Sequence, residues 1–78
     1  MWGIPRWPGR YLELGSQGED VRAFQARMAE RGWNIPVDGV YGPQTQRVVD
    51  KLQHQKHLDN DGFVGPSTWE AAWRAVVT

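Results

Sequence analysis

Two carboxylates occupy matching positions in a repeated phrase of this 78-residue chain: Asp38 in DGVYGPQT and Asp61 in DGFVGPST. Paired carboxylates are the usual means of cleaving a glycosidic bond. They must face each other across a cleft, about 5 Å or about 6.5–9.5 Å apart according to mechanism. Three short helices offer no deep cleft of that kind. An Asp followed by Gly is read more economically as a turn, in which the carboxylate bonds the backbone N–H two residues on and Gly accepts positive φ. His54 and His57, with Asp59 and Asp61 nearby, suggest a zinc site, but spacing fixes no third ligand and no ordered partner behind the imidazoles. The run DNDG, Asp59 to Gly62, opens like a calcium loop and lacks the closing bidentate Glu. A solvated helix end is the simpler reading of the histidines. No catalytic residue, metal or cofactor is expected.

The elements that position these residues follow from the repeat itself. Each copy reads as a turn at Asp-Gly, a short extended pair, and a helix start at Gly-Pro, where proline's missing N–H has no intrahelical partner to lose. Upstream, Val21-x-x-Phe24-Gln25 matches Val49-x-x-Leu52-Gln53. The repeated unit is therefore a helix, a return loop and the next helix start. Val21, Phe24 and Met28 form the apolar stripe of a first helix. Ser16 or Gly18 can cap it, Glu19 and Asp20 sit at its positive end, and Arg27 and Arg31 at its negative end. Gly32 ends it in the left-handed region, and Trp33 folds back over its last turn. A second helix runs from Pro43 to about Lys56 with Val48, Val49 and Leu52 inward, and Leu58 takes the place of Trp33. A third starts at Pro66 with Trp69, Ala72, Trp73 and Val76 on one face. An extended chain from Gly32 to Pro43 reaches roughly 30 Å and a twelve-residue helix only about 18 Å, so the loop can return alongside its helix and successive helices start from similar ends.

The expected fold is all-α: a small three-helix bundle at residues 12–78 behind an extended arm at 1–11. A chain of this length forms one small domain. It has no cysteine, so its five tryptophans and aliphatic residues must supply the core unaided. Nine basic residues balance nine acidic ones. That balance argues against nucleic acid and anionic lipid as partners. No run is long and apolar enough to span a bilayer, and the first residues lack the apolar core of a signal peptide, so any export signal is expected elsewhere. The arm carries Trp2, Trp7 and Tyr11 among prolines and glycines. A flexible linker has no use for such rings; the arm is expected to lie across the bundle, with a ligand-stacking strip as the alternative.

The pattern L-x-x-GS-x-G-x-x-V-x-x-FQ…GW…DG-x-YGP-x-T…VV-x-x-LQ…L-x-x-DG-x-VGP-x-TW, from Leu12 to about Val76, resembles the type 1 peptidoglycan-binding domain, a three-helix module attached to cell-wall hydrolases. The preceding PRWPGRY is similar to the approach to such modules in actinobacterial and actinophage lysins. His57 stands where the family usually has Gly and Ala72 where it often has Leu; His57 can adopt positive φ at modest cost, and Trp73 can supply the missing volume. The resemblance implies a monomeric, non-catalytic module in the cell wall or outside the cell, bound to peptidoglycan and joined covalently to a catalytic domain.

Peptidoglycan offers N-acetylated sugars with apolar faces, and short peptides with amides and carboxylates. Aromatic rings suit the first; backbone N–H groups, Arg and amides suit the second. The two residues after Asp-Gly point opposite ways if extended, and the resemblance implies that Tyr41 and Val64 turn inward, leaving Val40 and Phe63 outward. Candidate ligand-binding residues are Trp33, Tyr41 and Trp69 as a groove beside Phe63, and the helix starts at Gln44, Thr45 and Ser67, whose N–H groups favour a carboxylate. Gln25 and Gln53 are expected to satisfy the backbone of the loops, with a bond to ligand amides as the alternative. Two competing readings are a fragment with hydrolytic activity and a three-helix protein-interaction or DNA-binding domain.

Overall fold

The computed structural model describes residues 6–74. Trp2 and Val76 lie outside them. Three helices follow in order, α1 (Glu19–Glu30), α2 (Pro43–Gln55) and α3 (Pro66–Arg74). The apolar stripes foreseen from spacing meet in one core: Val21, Phe24 and Met28 from α1, Val48, Val49 and Leu52 from α2, and Trp69 and Ala72 from α3 are buried together. Leu12, Ile35, Tyr41 and Val64 join them from the connecting segments. Trp69 lies over Phe24, with ring centroids 6.3 Å apart, and Trp73 packs against Trp69 at 4.4 Å. The second indole thus fills space beside the small Ala72.

Both α1 and α2 end in the same hydrogen-bonded motif. After α1, Gly32 N donates to Ala29 O and Trp33 N to Met28 O. After α2, His57 N donates to His54 O and Leu58 N to Gln53 O. This pairing needs a left-handed residue at the first position past the cap. Gly32 adopts φ 95° and His57 φ 58°, so the histidine fills a glycine's role.

The segments in front of the helices are laced to one another. Leu12 and Val64 exchange both backbone hydrogen bonds as an isolated antiparallel pair, and Gln17 bridges Val40 in the same sense. Gly18 N donates to Gly39 O, and Tyr41 N to Ser16 O. The chain just before each helix is therefore gathered in one place, as the return loops require. Ser16 does not cap α1: the cap is Gly18, and the Ser16 hydroxyl accepts from Glu13 N, closing a local turn. Arg27 and Arg31 do more than face their own helix end. Arg27 donates to the carbonyls of Ala72 and Trp73, and Arg31 to those of Ala71 and Ala72. Two α1 cations thereby meet carbonyls near the negative end of α3 and tie the first helix to the third.

The described part of the arm lies on the bundle. Trp7 packs against the core, and the Arg10 guanidinium grips Asp20 through two bonds of 2.8 Å and Gln17 O through a third of the same length. Asp20 also accepts from Val21 N. The Arg10 hydrogen bond, aided by that N–H, holds the Asp20 carboxyl below its ordinary range. Asp38 is held low as well, first by the N–H of Val40 and then by the Gln25 amide. A carboxyl depressed in the folded state contributes stability above its unfolded pKa and loses it as pH falls through the folded value. The melting temperature is thus expected to fall on acidification below about pH 4. An Asp20→Asn, Asp38→Asn double variant should start lower and fall less steeply. An equally steep acid limb in the double variant would assign the loss to other groups.

Candidate functional site

Each repeat loop is built around one buried glutamine. The Gln25 side-chain oxygen accepts from the N–H of Asp38 at 3.1 Å and Gly39 at 2.8 Å, while its Nε2 donates to Asp38 Oδ1, Val40 O and the Thr45 hydroxyl. Gln53 repeats the pattern, accepting from Gly62 N and donating to Asp61 Oδ1, Phe63 O and the Thr68 hydroxyl. The Asp carboxylates close their own turns: Val40 N donates to Asp38 Oδ1 and Phe63 N to Asp61 Oδ1, both at 3.0 Å. Gly39 and Gly62 hold φ 77° and 76°. Asp, Gly, Gln and Thr of both repeats are thus consumed in holding the loops. What remains free to meet a ligand is the outward set.

The candidate residues separate into three groups. Tyr41, Thr45 and Trp69 are interior, at 1%, 0% and 4% exposure, because Tyr41 donates its hydroxyl to Gly62 O, Thr45 serves Gln25, and Trp69 stacks on Phe24. Burial, followed by the nearby Asp50, Asp61 and Glu13 charges, raises the Tyr41 pKa far above that of free tyrosine, so this hydroxyl stays a donor. Phe63 and Ser67 form the second group. They line an open groove of about 340 Å³ with Tyr11, His57, Asp59 and Asp61. Phe63 is 42% exposed and Tyr11 53%. Trp33 and Gln44 form the third, away from Phe63. They border a hollow of about 190 Å³ with Arg47 and Lys51, and Trp33 and Lys51 continue into a shallower one of about 480 Å³ with Asp50 and His54. Gln44 is partly occupied, donating to Asn34 O at 2.9 Å.

The two grooves differ in charge. Around Phe63 the ionisable side chains are two carboxylates, one imidazole and the Tyr11 phenol; around Trp33 they include Arg47 and Lys51. His54 and His57 fall on different grooves, and among the described residues no cluster of three His, Cys, Asp or Glu is arranged to hold a metal. Among the same residues no helix is long and apolar enough to cross a membrane. Tyr11, Arg47 and Lys51 also line these grooves. Of the three, only Tyr11 stands out in the sequence, as one ring of the arm's ligand-stacking alternative.

Residues 17–72 match the family model described as "Putative peptidoglycan binding domain". A zinc D-Ala-D-Ala carboxypeptidase of Streptomyces albus G is 36% identical over 75 residues, covering 92% of this chain and 29% of that protein. The chain likewise spans less than a third of the length of the other first-ranking curated relatives it matches. Among solved structures, a peptidoglycan-binding protein from Clostridioides difficile in complex with glutamine hydroxamate superposes with TM-score 0.80 at 31% identity, covering 83% of this chain and 41% of that one. A Burkholderia AP3 phage endolysin does so with TM-score 0.78 at 31% identity, covering 86% and 26%.

Proposed function

We propose, from the premise that this chain belongs to the peptidoglycan-binding domain family, that it holds an attached hydrolase on the bacterial cell wall and leaves bond cleavage to that partner. The observation that carries this reading is the division of labour in the two repeats. Their carboxylates and amides are spent on their own loops, and one ring, Phe63, stands outward on an open groove. A hydrolytic reading would ask Asp38 and Asp61 to act as acid and base, yet each accepts a hydrogen bond from its own turn and from a buried glutamine. The relatives supply the context: this chain is similar to one part of enzymes that act in the cell wall, and a small module of modest affinity raises the local substrate concentration for whatever is tethered to it. The Phe63 groove suits the glycan. The Trp33 hollow, with Arg47 and Lys51 beside an indole, suits the carboxylates of the stem peptide.

The 78-residue chain is expected to sediment with purified sacculi and not with duplex DNA, and to leave the turbidity of the sacculi unchanged. Clearing of the sacculi by this chain alone would establish a hydrolase, and retention on DNA alone would establish a different binding class. Phe63→Ala should weaken sacculus binding by about fivefold to tenfold, the loss of one stacked ring. Its melting temperature should fall by no more than about 4–8 °C, since the ring is 42% exposed and lies outside the core. Undiminished retention of Phe63→Ala removes this ring from the site.

A further inference from the structure

The family match begins at residue 17, yet one wall of the Phe63 groove is Tyr11, six positions before it. We propose that the arm is part of the binding site: Tyr11, latched in place by Arg10 on Asp20, pairs with Phe63 to form a two-ring surface for the neutral N-acetylated glycan of peptidoglycan. This rests on the cell-wall reading above and names the component that the groove takes.

The placement of the two rings follows from the Leu12–Val64 pair. These residues exchange both backbone hydrogen bonds, at 3.1 and 2.8 Å, and both side chains are fully buried. In an antiparallel pair the flanking residues point the opposite way, so Tyr11 and Phe63 both face out on one surface. They are diagonal neighbours there, about 7–8 Å apart by the geometry of such pairs, within reach of one guest. Directly across from Tyr11 stands Gly65. Its lack of a side chain is what lets the ring lie down: a Cβ at 65 would sit 2.4 Å from Tyr11 Cε2. Trp7 packs against the tyrosine edge-on, centroids 5.5 Å apart at 80°. The backbone before the ring is fixed by the three Arg10 bonds to Asp20 and Gln17. A tyrosine that packs on Trp7 and Gly65, follows a residue fixed by three hydrogen bonds and is still 53% exposed presents a preorganised face.

Charge decides which component of the polymer fits. The groove lining includes Asp59 and Asp61 and, among the described residues, no lysine or arginine. A stem-peptide carboxylate entering there meets the like charge of Asp59 and Asp61, against which the N–H groups at the start of α3 set only a partial positive charge. A sugar meets acceptors for its hydroxyls and two rings for its apolar faces.

The test titrates the whole 78-residue chain, by calorimetry, with a tetramer of N-acetylglucosamine and separately with a stem pentapeptide ending in D-Ala-D-Ala, with sacculus sedimentation run alongside. The parent chain is expected to bind the tetramer. Tyr11→Ala should weaken that binding about tenfold, the order expected for one stacked ring. Gly65→Ala should weaken it comparably with Tyr11 still present, because the methyl evicts the ring while Gly65 itself holds no positive φ that alanine would strain. Tetramer affinity unchanged in both variants overturns the role of the arm. A parent chain that sediments with sacculi but ignores the tetramer overturns the glycan assignment and leaves the cell-wall reading standing; a parent chain that does not sediment at all overturns the cell-wall reading, and this one with it.

Discussion

Replacing Gln25 with leucine is expected to cost the domain about 3–5 kcal/mol of stability. The substitution keeps the volume and deletes the amide. It strands the N–H groups of Asp38 and Gly39, the Val40 carbonyl and the Thr45 hydroxyl, all of which the Gln25 side chain now serves. A buried polar group left without a partner costs about 1–3 kcal/mol. Some of these groups lie near the surface and recover water, so the sum is about 3–5 kcal/mol rather than the full total. A domain of this size has roughly 4–12 kcal/mol in all. Urea unfolding followed by tryptophan fluorescence should therefore show a midpoint lowered by a third or more, or a chain unfolded without urea. Gln25→Glu is not a rescue, because it keeps the acceptor, removes both donors and faces Asp38 with a second carboxylate. A leucine variant that unfolds at the parental urea concentration would show the glutamine to be dispensable packing.

That prediction rests on a feature readable from the chain, since two glutamines at matching points of a repeat, each just after a core position, announce a shared structural task. The turns were legible for the same reason. Asp-Gly and Gly-Pro are local signals, and Gly39, Gly62, Pro43 and Pro66 do what their chemistry dictates. Alternation puts the two residues after Asp-Gly on opposite sides, and the family pattern assigns Tyr41 and Val64 to the inside and Val40 and Phe63 to the outside, where they lie. The limits of such reading also have physical causes. Thr45 was a reasonable ligand contact at a helix start until the partner of its hydroxyl was known, and that partner is 20 residues away. Arg27 and Arg31 look like ordinary helix-end cations. Their carbonyl partners lie 40 to 46 residues on, where no local pattern reaches. Trp33 and Phe63 are both rings beside a helix end, and only the packing of the chain sends them to separate grooves. Tyr11 belongs to the same class, for its placement depends on a glycine across the bridge.

The two loops, alike in their hydrogen bonds, are nevertheless expected to respond unequally when their glycines are replaced by valine. Both positions hold a φ near +77°, a region that a β-branched residue enters only under strain of about 1–3 kcal/mol. Gly39 has a further difficulty. A Cβ there meets the carbonyl oxygen of Gly18 at 3.3 Å, and that oxygen is backbone, fixed by its role as the first acceptor of α1 from Arg22 N. At Gly62 the nearest atom, at 3.2 Å, is the amide nitrogen of Gln46, the far end of a flexible side chain that can swing away. Gly39→Val should therefore sit at the upper end of the range and Gly62→Val at the lower. With about 4–8 °C of melting temperature per kcal/mol in a domain of this size, the first falls by about 12–24 °C and the second by about 4–8 °C. Binding should invert that order. Gly62 adjoins Phe63 and Gly39 adjoins Val40, so Gly62→Val, measured well below its melting point, should lose glycan affinity that Gly39→Val retains. Two variants with the parental melting temperature would show that the positive φ is not required. If instead Gly39→Val alone lost affinity at a temperature where it is folded, the ligand would belong to the first loop and not the second.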